Sequence, residues 1–202
     1  MGLVDGDDCR PWRDEGTWLM LYLASASPRR AQLLKKAGIR FKILKTNYHE
    51  KPFPGMRPSK LVQKHALGKA VAASKTVNKG TVLAADTVVY FRKKIIGKPK
   101  NVHNALKTLE LLQEQWHVVY TGVAVLHVFG DRVVKRRVFF EKTAVFLKKM
   151  DRSQIRRYFR QVNPLDKAGS YAIQSRHHSI VQKWRGSFSN AVGLPMERLK
   201  FL

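Results

Sequence analysis

Two serines and two arginines, Ser25, Ser27, Arg29 and Arg30, lie close together just after a short apolar run that is typical of a buried strand. The residues that follow predict a helix, so these side chains would lie at its N-terminus. Free backbone N–H groups, hydroxyls and guanidinium groups at a helix start form an anion site, most naturally for phosphate. The alternative is an ordinary capped helix with two solvated arginines, and the stretch alone leaves both interpretations open.

Carboxylates are scarce in this chain, which has 39 Lys and Arg, 14 Asp and Glu, and a net charge of +25. Asp86 follows the apolar run 82–85, where burial of a carboxylate is costly unless it is paired or binds a metal. Glu50 closes a predicted strand, and Asp166 lies in a later loop. The alternatives are a structural aspartate hydrogen-bonded to a loop for Asp86 and a plain surface acid for Glu50.

Lys98 lies between a glycine and a proline, in a stiff loop that suits a fixed phosphate contact. With so many lysines in the chain, chance alone also supplies one at such a place. Gln174 follows an apolar segment, where its amide could recognise the edge of a base or merely cap a strand. The pair His177-His178 does not predict a metal site, because adjacent residues in a strand point in opposite directions.

Length and composition predict one globular domain, or two small lobes, after a polar N-terminal tail at residues 1–17. No apolar run is long enough to span a membrane, and nothing resembles a secretory signal. The single cysteine, Cys9, excludes an intramolecular disulfide, so an intracellular protein is expected. The basic charge favours polyanionic partners, either nucleotides or nucleic acid.

Periodicity predicts alternating strands and helices, with a long central hairpin that makes the sheet mixed. The predicted strands are 19–24, 41–44, 81–91, 95–96, 116–129, 132–147 and 180–184, with a loop-to-strand passage over 165–174. The predicted helices are 28–37 with Ser27 as N-cap, 59–77 with Ser59 as N-cap, one capped by Asn101, one starting at Asp151 or Ser153, and a short final helix with Pro195 in its first turn. The turn at Gly130-Asp131 would close the hairpin.

Six segments together resemble the Maf family of nucleoside triphosphate pyrophosphatases, in that family's order and over about residues 19–202. They are Ala24-Ser-Ala-Ser-Pro-Arg-Arg30, Ala85-Asp-Thr-Val88, Gly97-Lys-Pro99, Thr121-Gly122, Asp166-Lys-Ala-Gly-Ser-Tyr-Ala-Ile-Gln174 and Val192-Gly-Leu-Pro195. The resemblance implies a two-lobed α/β fold with an elongated, curved mixed sheet and a cleft between the lobes. It also implies cleavage of a nucleoside triphosphate to the monophosphate and pyrophosphate with a divalent metal, Mg²⁺ or Mn²⁺, by a cytoplasmic homodimer.

The same resemblance implies a set of functional residues. Asp86 matches the catalytic acid, assigned as proton acceptor, and Glu50 and Asp86 are the implied metal ligands. The specificity positions are Arg29, Thr87 and Gln174, and the further polar groups of the active site are Ser25, Arg30, Glu50 and Lys98. The chain departs from the family pattern in its loops, at Ala26, Ala84, Gln113-Glu114 and Ser175, which puts loop shape in question more than the class of reaction.

The pattern over Asp166 to Gln174 resembles the family members that act on dTTP and UTP. A glutamine amide presents a donor beside an acceptor, which matches the edge of thymine or uracil. A flipped amide also matches cytosine, so Gln174 alone does not reject CTP. The alternatives are therefore another base, such as cytosine or 7-methylguanine, or a relative that has kept the fold, lost turnover and binds nucleic acid.

Overall fold

The structure is a computed structural model, which describes residues 13–14, 17–18, 20–51, 53–174 and 180–199. It is a mixed α/β protein. The strands are β1 Arg13–Asp14, β2 Thr17–Trp18, β3 Leu21–Leu23, β4 Phe41–Ile43, β5 Lys79–Phe91, β6 Lys94–Ile96, β7 Trp116–Phe129, β8 Arg132–Leu147 and β9 Val181–Arg185. The α-helices are α1 Pro28–Lys36, α2 Pro58–Ser74, α3 Val102–Leu112, α4 Arg152–Gln161 and α5 Phe188–Val192, and there are 3-10 helices at Ala168–Ser170 and Met196–Arg198.

Seven of these strands form one sheet in the order β4-β3-β5-β7-β8-β9, with β6 paired to the end of β5. The pairings of β3 with β4 and β5 are parallel, and those from β5 through β7 and β8 to β9 are antiparallel. The prediction of a mixed sheet is therefore confirmed. In the hairpin between β7 and β8, Gly130 and Asp131 have φ of 54° and 62°, the left-handed pair that a two-residue type I′ turn needs.

Strand β5 is buried along nearly its whole length and presents alternate residues to two different sets of neighbours. On one face, Val82 and Ala84 pack against the small residues of α2. On the other face, Leu83 and Ala85 belong to a cluster with α1, whereas Val89 and Phe91 belong to a separate cluster with α3 and α4. Asp86 and Thr87 lie where these clusters divide, so the fold brings polar residues to the boundary between its two apolar regions.

The helix caps differ in part from the predictions. Asn101 caps α3 and Asp151 caps α4 through side-chain bonds to backbone N–H groups, as predicted. Ser27 occupies the N-cap position of α1 without a side-chain capping bond, and its own N–H donates to the nearby Ser25 hydroxyl. Helix α2 begins at Pro58 rather than at Ser59, since proline suits the first turn, and it ends at Ser74 rather than near residue 77.

One prediction for the C-terminal third was wrong. No strand forms over 171–174, since the backbone turns at Gly169 and Ser170, which have positive φ, and the Ala172 N–H donates to the Tyr158 hydroxyl rather than to a neighbouring strand. The predicted short final helix is present as the 3-10 helix Met196–Arg198, which begins directly after Pro195, and α5 precedes it and ends before Gly193. Within the part of the chain that the structure describes, no helix is long and apolar enough to cross a membrane.

Candidate active site

Two of the predicted acids converge on one lysine. The Nζ atom of Lys69 lies 2.6 Å from Oδ1 of Asp86 and 2.6 Å from Oε1 of Glu50. The side chain of Asp86 is 9% exposed and that of Lys69 14%, whereas that of Glu50 is 52% exposed. The arrangement is a buried ion pair that opens to solvent through Glu50.

Burial has the largest single effect on the pKa of Glu50 and raises it. The hydrogen bond and charge of Lys69, with the charges of Lys98 and His65, outweigh that effect, so the pKa of Glu50 lies below its ordinary value. Glu50 is therefore ionised at neutral pH. Lys98, exposed in the loop after β6, acts on it through charge rather than through a salt bridge.

Lys69 is the residue that the sequence interpretation missed. It lies on α2 in the series Val62, Ala66, Lys69 and Ala73, whose spacing of three or four residues places them all on the face toward the sheet. A single lysine among small and apolar residues on an inward face is the signal that could have found it. In a chain with so many lysines, that signal can be recognised only once it is known which face of α2 lies against the sheet.

Gly122 on β7 has no side chain, which lets α2 lie close enough to the sheet for the contact between Lys69 and Asp86. A Cβ added at Gly122, which pairs with Asp86 across β5 and β7, would lie 2.3 Å from the carbonyl carbon and oxygen of Val62. The glycine therefore lets α2 rest directly on the strand backbone, and Lys69 reaches Asp86 from there.

Close contacts between Tyr48 and α2 hold the segment that carries Glu50. The Tyr48 ring lies over Gly68, where an added Cβ would be 2.2 Å from Cε2 of Tyr48. The Tyr48 hydroxyl lies 3.0 Å from Nδ1 of His65, one helical turn earlier on α2. These contacts fasten residues 48–50 to α2 beside Lys69, so the same helix positions both the lysine and the exposed acid.

On the opposite face of β5, Arg30 makes a second polar centre. Its guanidinium donates to the Gly193 carbonyl at 2.8 Å and to the hydroxyls of Ser25 and Thr87 at 2.9 Å each. All three acceptors are neutral. Burial lowers the pKa of Arg30 to about 10, an effect that the charge of Asp86 partly offsets, so the group stays cationic at neutral pH.

Thr87 extends this centre across the sheet. Its hydroxyl lies 3.0 Å from that of Thr121 on β7, which donates to the Asn190 carbonyl on α5. The side-chain amide of Asn190 donates in turn to the Thr143 hydroxyl on β8. Arg30 is thus held at the end of a chain of uncharged groups that crosses three strands.

Arg29 points to a different partner. Its guanidinium donates to Oδ2 of Asp166 at 3.0 Å, and Lys167 donates to Oδ1 of the same carboxylate at 2.5 Å. Burial raises the pKa of Asp166, but the hydrogen bonds and charges of Lys167 and Arg29 prevail and lower it. The three side chains anchor the start of the loop that leads to Gln174.

Two tyrosines hold the rest of that loop. The Tyr158 hydroxyl accepts from the Ala172 N–H at 2.9 Å, and the Tyr171 hydroxyl lies 2.7 Å from Nε2 of His117, inside the core. Burial raises the pKa of Tyr158 to about 12 and lowers that of His117 to about 4. Gln174 is half-buried at the end of this loop. The departure from the family pattern at Ser175 and the pair His177-His178, which was not expected to bind a metal, lie outside the described residues.

The side chains near Asp86 determine whether the implied metal fits. No cluster of three or more His, Cys, Asp and Glu that could hold a metal ion occurs among residues 13–14, 17–18, 20–51, 53–174 and 180–199. Glu50 and Asp86 nevertheless flank Lys69 Nζ, each with one oxygen, and a cation would be held by the carboxylate oxygens that these two salt bridges do not use. One or two carboxylates completed by substrate phosphates are the donor set that Mg²⁺ uses in such enzymes, so the residues fit this group.

The chain is similar to known proteins over nearly its whole length. The model of the family described as Maf-like protein matches residues 20–202. A dTTP/UTP pyrophosphatase of Methanosarcina barkeri is 42% identical over 180 residues, covering 89% of this chain and 90% of the relative. A dTTP/UTP pyrophosphatase of Gloeobacter violaceus is also 42% identical, over 179 residues that cover 89% of this chain and 92% of the relative. Among solved structures, the Staphylococcus aureus Ham1 protein is 16% identical, with a TM-score of 0.44 over 63% of this chain and 71% of that chain.

Proposed function

Because this chain belongs to the Maf-like family, we propose that it is a nucleoside triphosphate pyrophosphatase that hydrolyses dTTP and UTP to the monophosphate and pyrophosphate. The names of its relatives support this activity and these substrates. The observation that carries the assignment of residues is the convergence of Glu50 and Asp86 on Lys69 at the middle of the buried strand β5.

Arg30 is proposed to bind the triphosphate. A buried guanidinium whose hydrogen bonds go only to neutral acceptors is costly without a counter-charge, and a phosphate supplies one. Ser25 and Thr87 orient the guanidinium through their hydroxyls. Lys98, which is exposed and whose charge lowers the pKa of Glu50, is proposed to contact the phosphates as well.

Glu50 and Asp86 are proposed to hold a divalent cation, Mg²⁺ or Mn²⁺, through carboxylate oxygens. When bound, such a cation neutralises phosphate charge and acidifies coordinated water. Lys69 holds the two carboxylates at a short separation before substrate arrives, and its ammonium group adds positive charge beside the reacting phosphate.

Asp86 is proposed to accept a proton from the attacking water at a carboxylate oxygen. Its other role, anchoring the cation, uses the same carboxylate, which is buried beneath α2 and accepts a hydrogen bond from Lys69. A positioned general base of this kind contributes a rate factor of about 10² to 10⁴.

The base is proposed to be recognised by Gln174, with Arg29 and Thr87 fixing its orientation. The amide of Gln174 matches the edge of thymine or uracil, and a site that satisfies these polar groups rejects a base that leaves them unpaired. The network through Tyr158 and Tyr171 supports this role because it fixes the loop that ends at Gln174.

The test is a series of kcat/KM values over dTTP, UTP, CTP, GTP and 7-methyl-GTP, with pyrophosphate release measured in Mg²⁺. We expect dTTP and UTP first and the purine nucleotides lower by at least about tenfold, or roughly 1.4 kcal/mol. CTP or 7-methyl-GTP in first place would contradict the role of Gln174. No pyrophosphate from any nucleotide would favour the non-catalytic relative. The homodimer, the cytoplasmic location and the boundary after residue 17 stay predictions.

A further inference from the structure

Helix α4 carries four arginines on a face that the proposed activity does not use. The sequence 151–162 contains Arg152, Arg156, Arg157 and Arg160 and a single acid, Asp151, which is occupied as the N-cap. With Ser153, these arginines line one open groove on the surface. We call Arg152, Arg156, Arg157 and Arg160 the arginine ladder.

The ladder faces away from the core. Ile155 and Tyr158, the buried residues of α4, pack in the cluster formed with α3 and the ends of β7 and β8. At 100° per residue Arg156, Arg157 and Arg160 lie away from this buried face and Arg152 lies on its flank, and all four are exposed. The apolar face is therefore already covered, and the cationic face is left for solvent or a partner.

This arrangement is locally unfavourable without an anion. Arg152, Arg156 and Arg160 follow one another at intervals of four residues, a spacing at which like charges repel on a helix. Arg152 also lies in the first turn, where the helix dipole disfavours positive charge. A salt bridge of 2.7 Å between Nε of Arg152 and Oε1 of Glu110 offsets the repulsion at Arg152. Within the described part of the chain, neither Arg156 nor Arg160 forms a salt bridge. A bound polyanion would remove the repulsion.

The chemistry of the face selects the kind of polyanion. From Arg152 to Arg160 the ladder rises about 12 Å, which spans several phosphates of a nucleic acid strand. Phe159, the aromatic residue beside it, packs against the core, so the face offers guanidinium groups to phosphates without a stacking platform for bases. A membrane surface fits less well, because the apolar side of α4 is buried and does not enter lipid.

We propose that the arginine ladder binds the sugar–phosphate backbone of nucleic acid, independently of sequence and of the nucleotide site. The net charge of +25 raises the local concentration of such a partner, and the ladder provides the place where it docks.

The test is fluorescence anisotropy of a labelled mixed-sequence DNA duplex over a series of KCl concentrations. The variant is R156Q/R157Q/R160Q, which keeps the Arg152–Glu110 contact and the helix propensity. The matched control is K35Q/K36Q/K75Q, which removes the same charge from exposed positions on α1 and at the end of α2. We expect the ladder variant to bind at least about tenfold more weakly, with a slope of log Kobs against log salt shallower by about 2.7. The control should stay within about twofold of the wild-type protein.

Failure of the wild-type protein to bind the duplex at low salt, or an equal loss in the control, would overturn the proposal. Ladder-dependent binding to phosphatidylserine vesicles without binding to DNA would overturn it in favour of a membrane surface. Hydrolysis of dTTP is measured in all three proteins and should not change between them. A protein that binds DNA through the ladder but hydrolyses no nucleotide would contradict the proposed function alone.

Discussion

The two faces of β5 carry neighbouring residues in opposite electrostatic settings. On the α2 face, Asp86 and Glu50 surround Lys69, so two acids and one base leave a net negative charge. On the other face, Arg30 is a buried cation that contacts only hydroxyls and a carbonyl. One centre is complementary to a cation and the other to an anion, and a single peptide bond between Asp86 and Thr87 joins them.

This difference suits a substrate that is itself a polyanion bound with a metal. A site with both charges on one face would neutralise itself by forming an internal ion pair. Placing the charges on opposite faces of a rigid strand keeps each available, because the alternation of side chains prevents Asp86 and Thr87 from turning toward each other. The contrast predicts that the two faces respond differently to substitution.

The largest effect is expected for Asp86→Asn. The amide is nearly the same size, but it is a poor ligand for a hard cation and does not accept the proton, so kcat for dTTP should fall by about a thousandfold. Thermal unfolding checks that the fold persists, and Asp131→Asn in the exposed hairpin turn is the matched control. Near-normal turnover in the Asp86 variant would remove this residue from the mechanism.

Lys69→Met should lower kcat by about a hundredfold, since it removes one preorganised charge from the reacting phosphate. It also removes the cation that lowers the pKa of Glu50, so that pKa should rise and the acidic limb of the pH–rate profile should move to higher pH. The control is Lys60→Met, on the exposed side of α2. A loss of rate with an unmoved acidic limb would show that Lys69 has only a structural role.

Arg30→Met should reduce kcat/KM by about tenfold to a hundredfold through weaker binding of the phosphates. Its effect on the melting temperature should be small, because removing a buried charge without an ionic partner offsets the lost hydrogen bonds. Steady-state kinetics and thermal unfolding, with Arg40→Met as an exposed control, separate the two effects. A large drop in stability with unchanged kcat/KM would make Arg30 a structural residue and break the comparison.

A different kind of effect, on stability rather than on rate, is expected at mildly acidic pH. His117 lies on β7, four residues before Thr121 and on the same face of the sheet as Thr87. Burial depresses its pKa from 6.5 to about 4. The unfolded chain therefore binds a proton that the folded chain does not, so stability falls as the pH drops from about 6.5 to 4, by about 3 kcal/mol in all.

Urea unfolding across this pH range measures the loss. In His117→Gln the free energy of unfolding should change less steeply with pH. His103→Gln, at an exposed position on α3, should show the same dependence on pH as the wild-type protein. If the free energy of unfolding of the His117 variant depended on pH as steeply as that of the wild-type protein, groups other than His117 would control stability in acid.

Much of the fold could be predicted from the sequence because its signals are local. The alternation of β7 and β8, the Gly130-Asp131 turn and the caps at Asn101 and Asp151 each depend on residues within a few positions of one another. The motifs likewise identified Asp86, Glu50 and Arg30 as candidates. Local signals failed where the tertiary structure prevailed, as in the 165–174 segment, whose backbone bonds to Tyr158 instead of joining the sheet.

Only the tertiary structure decided which candidates meet. The sequence placed Arg30 beside Ser25 and Asp86 beside Thr87, but it did not reveal that Arg30 reaches Thr87 on one face of β5 whereas Lys69 reaches Asp86 on the other. It gave no partner for Arg29, which depends on a contact with Asp166 across 137 positions. Lys69 joined the acids only once α2 lay against Gly122. Strand register and helix approach are long-range properties, and they determine which charges face each other, whereas the chain by itself determined which charges were available.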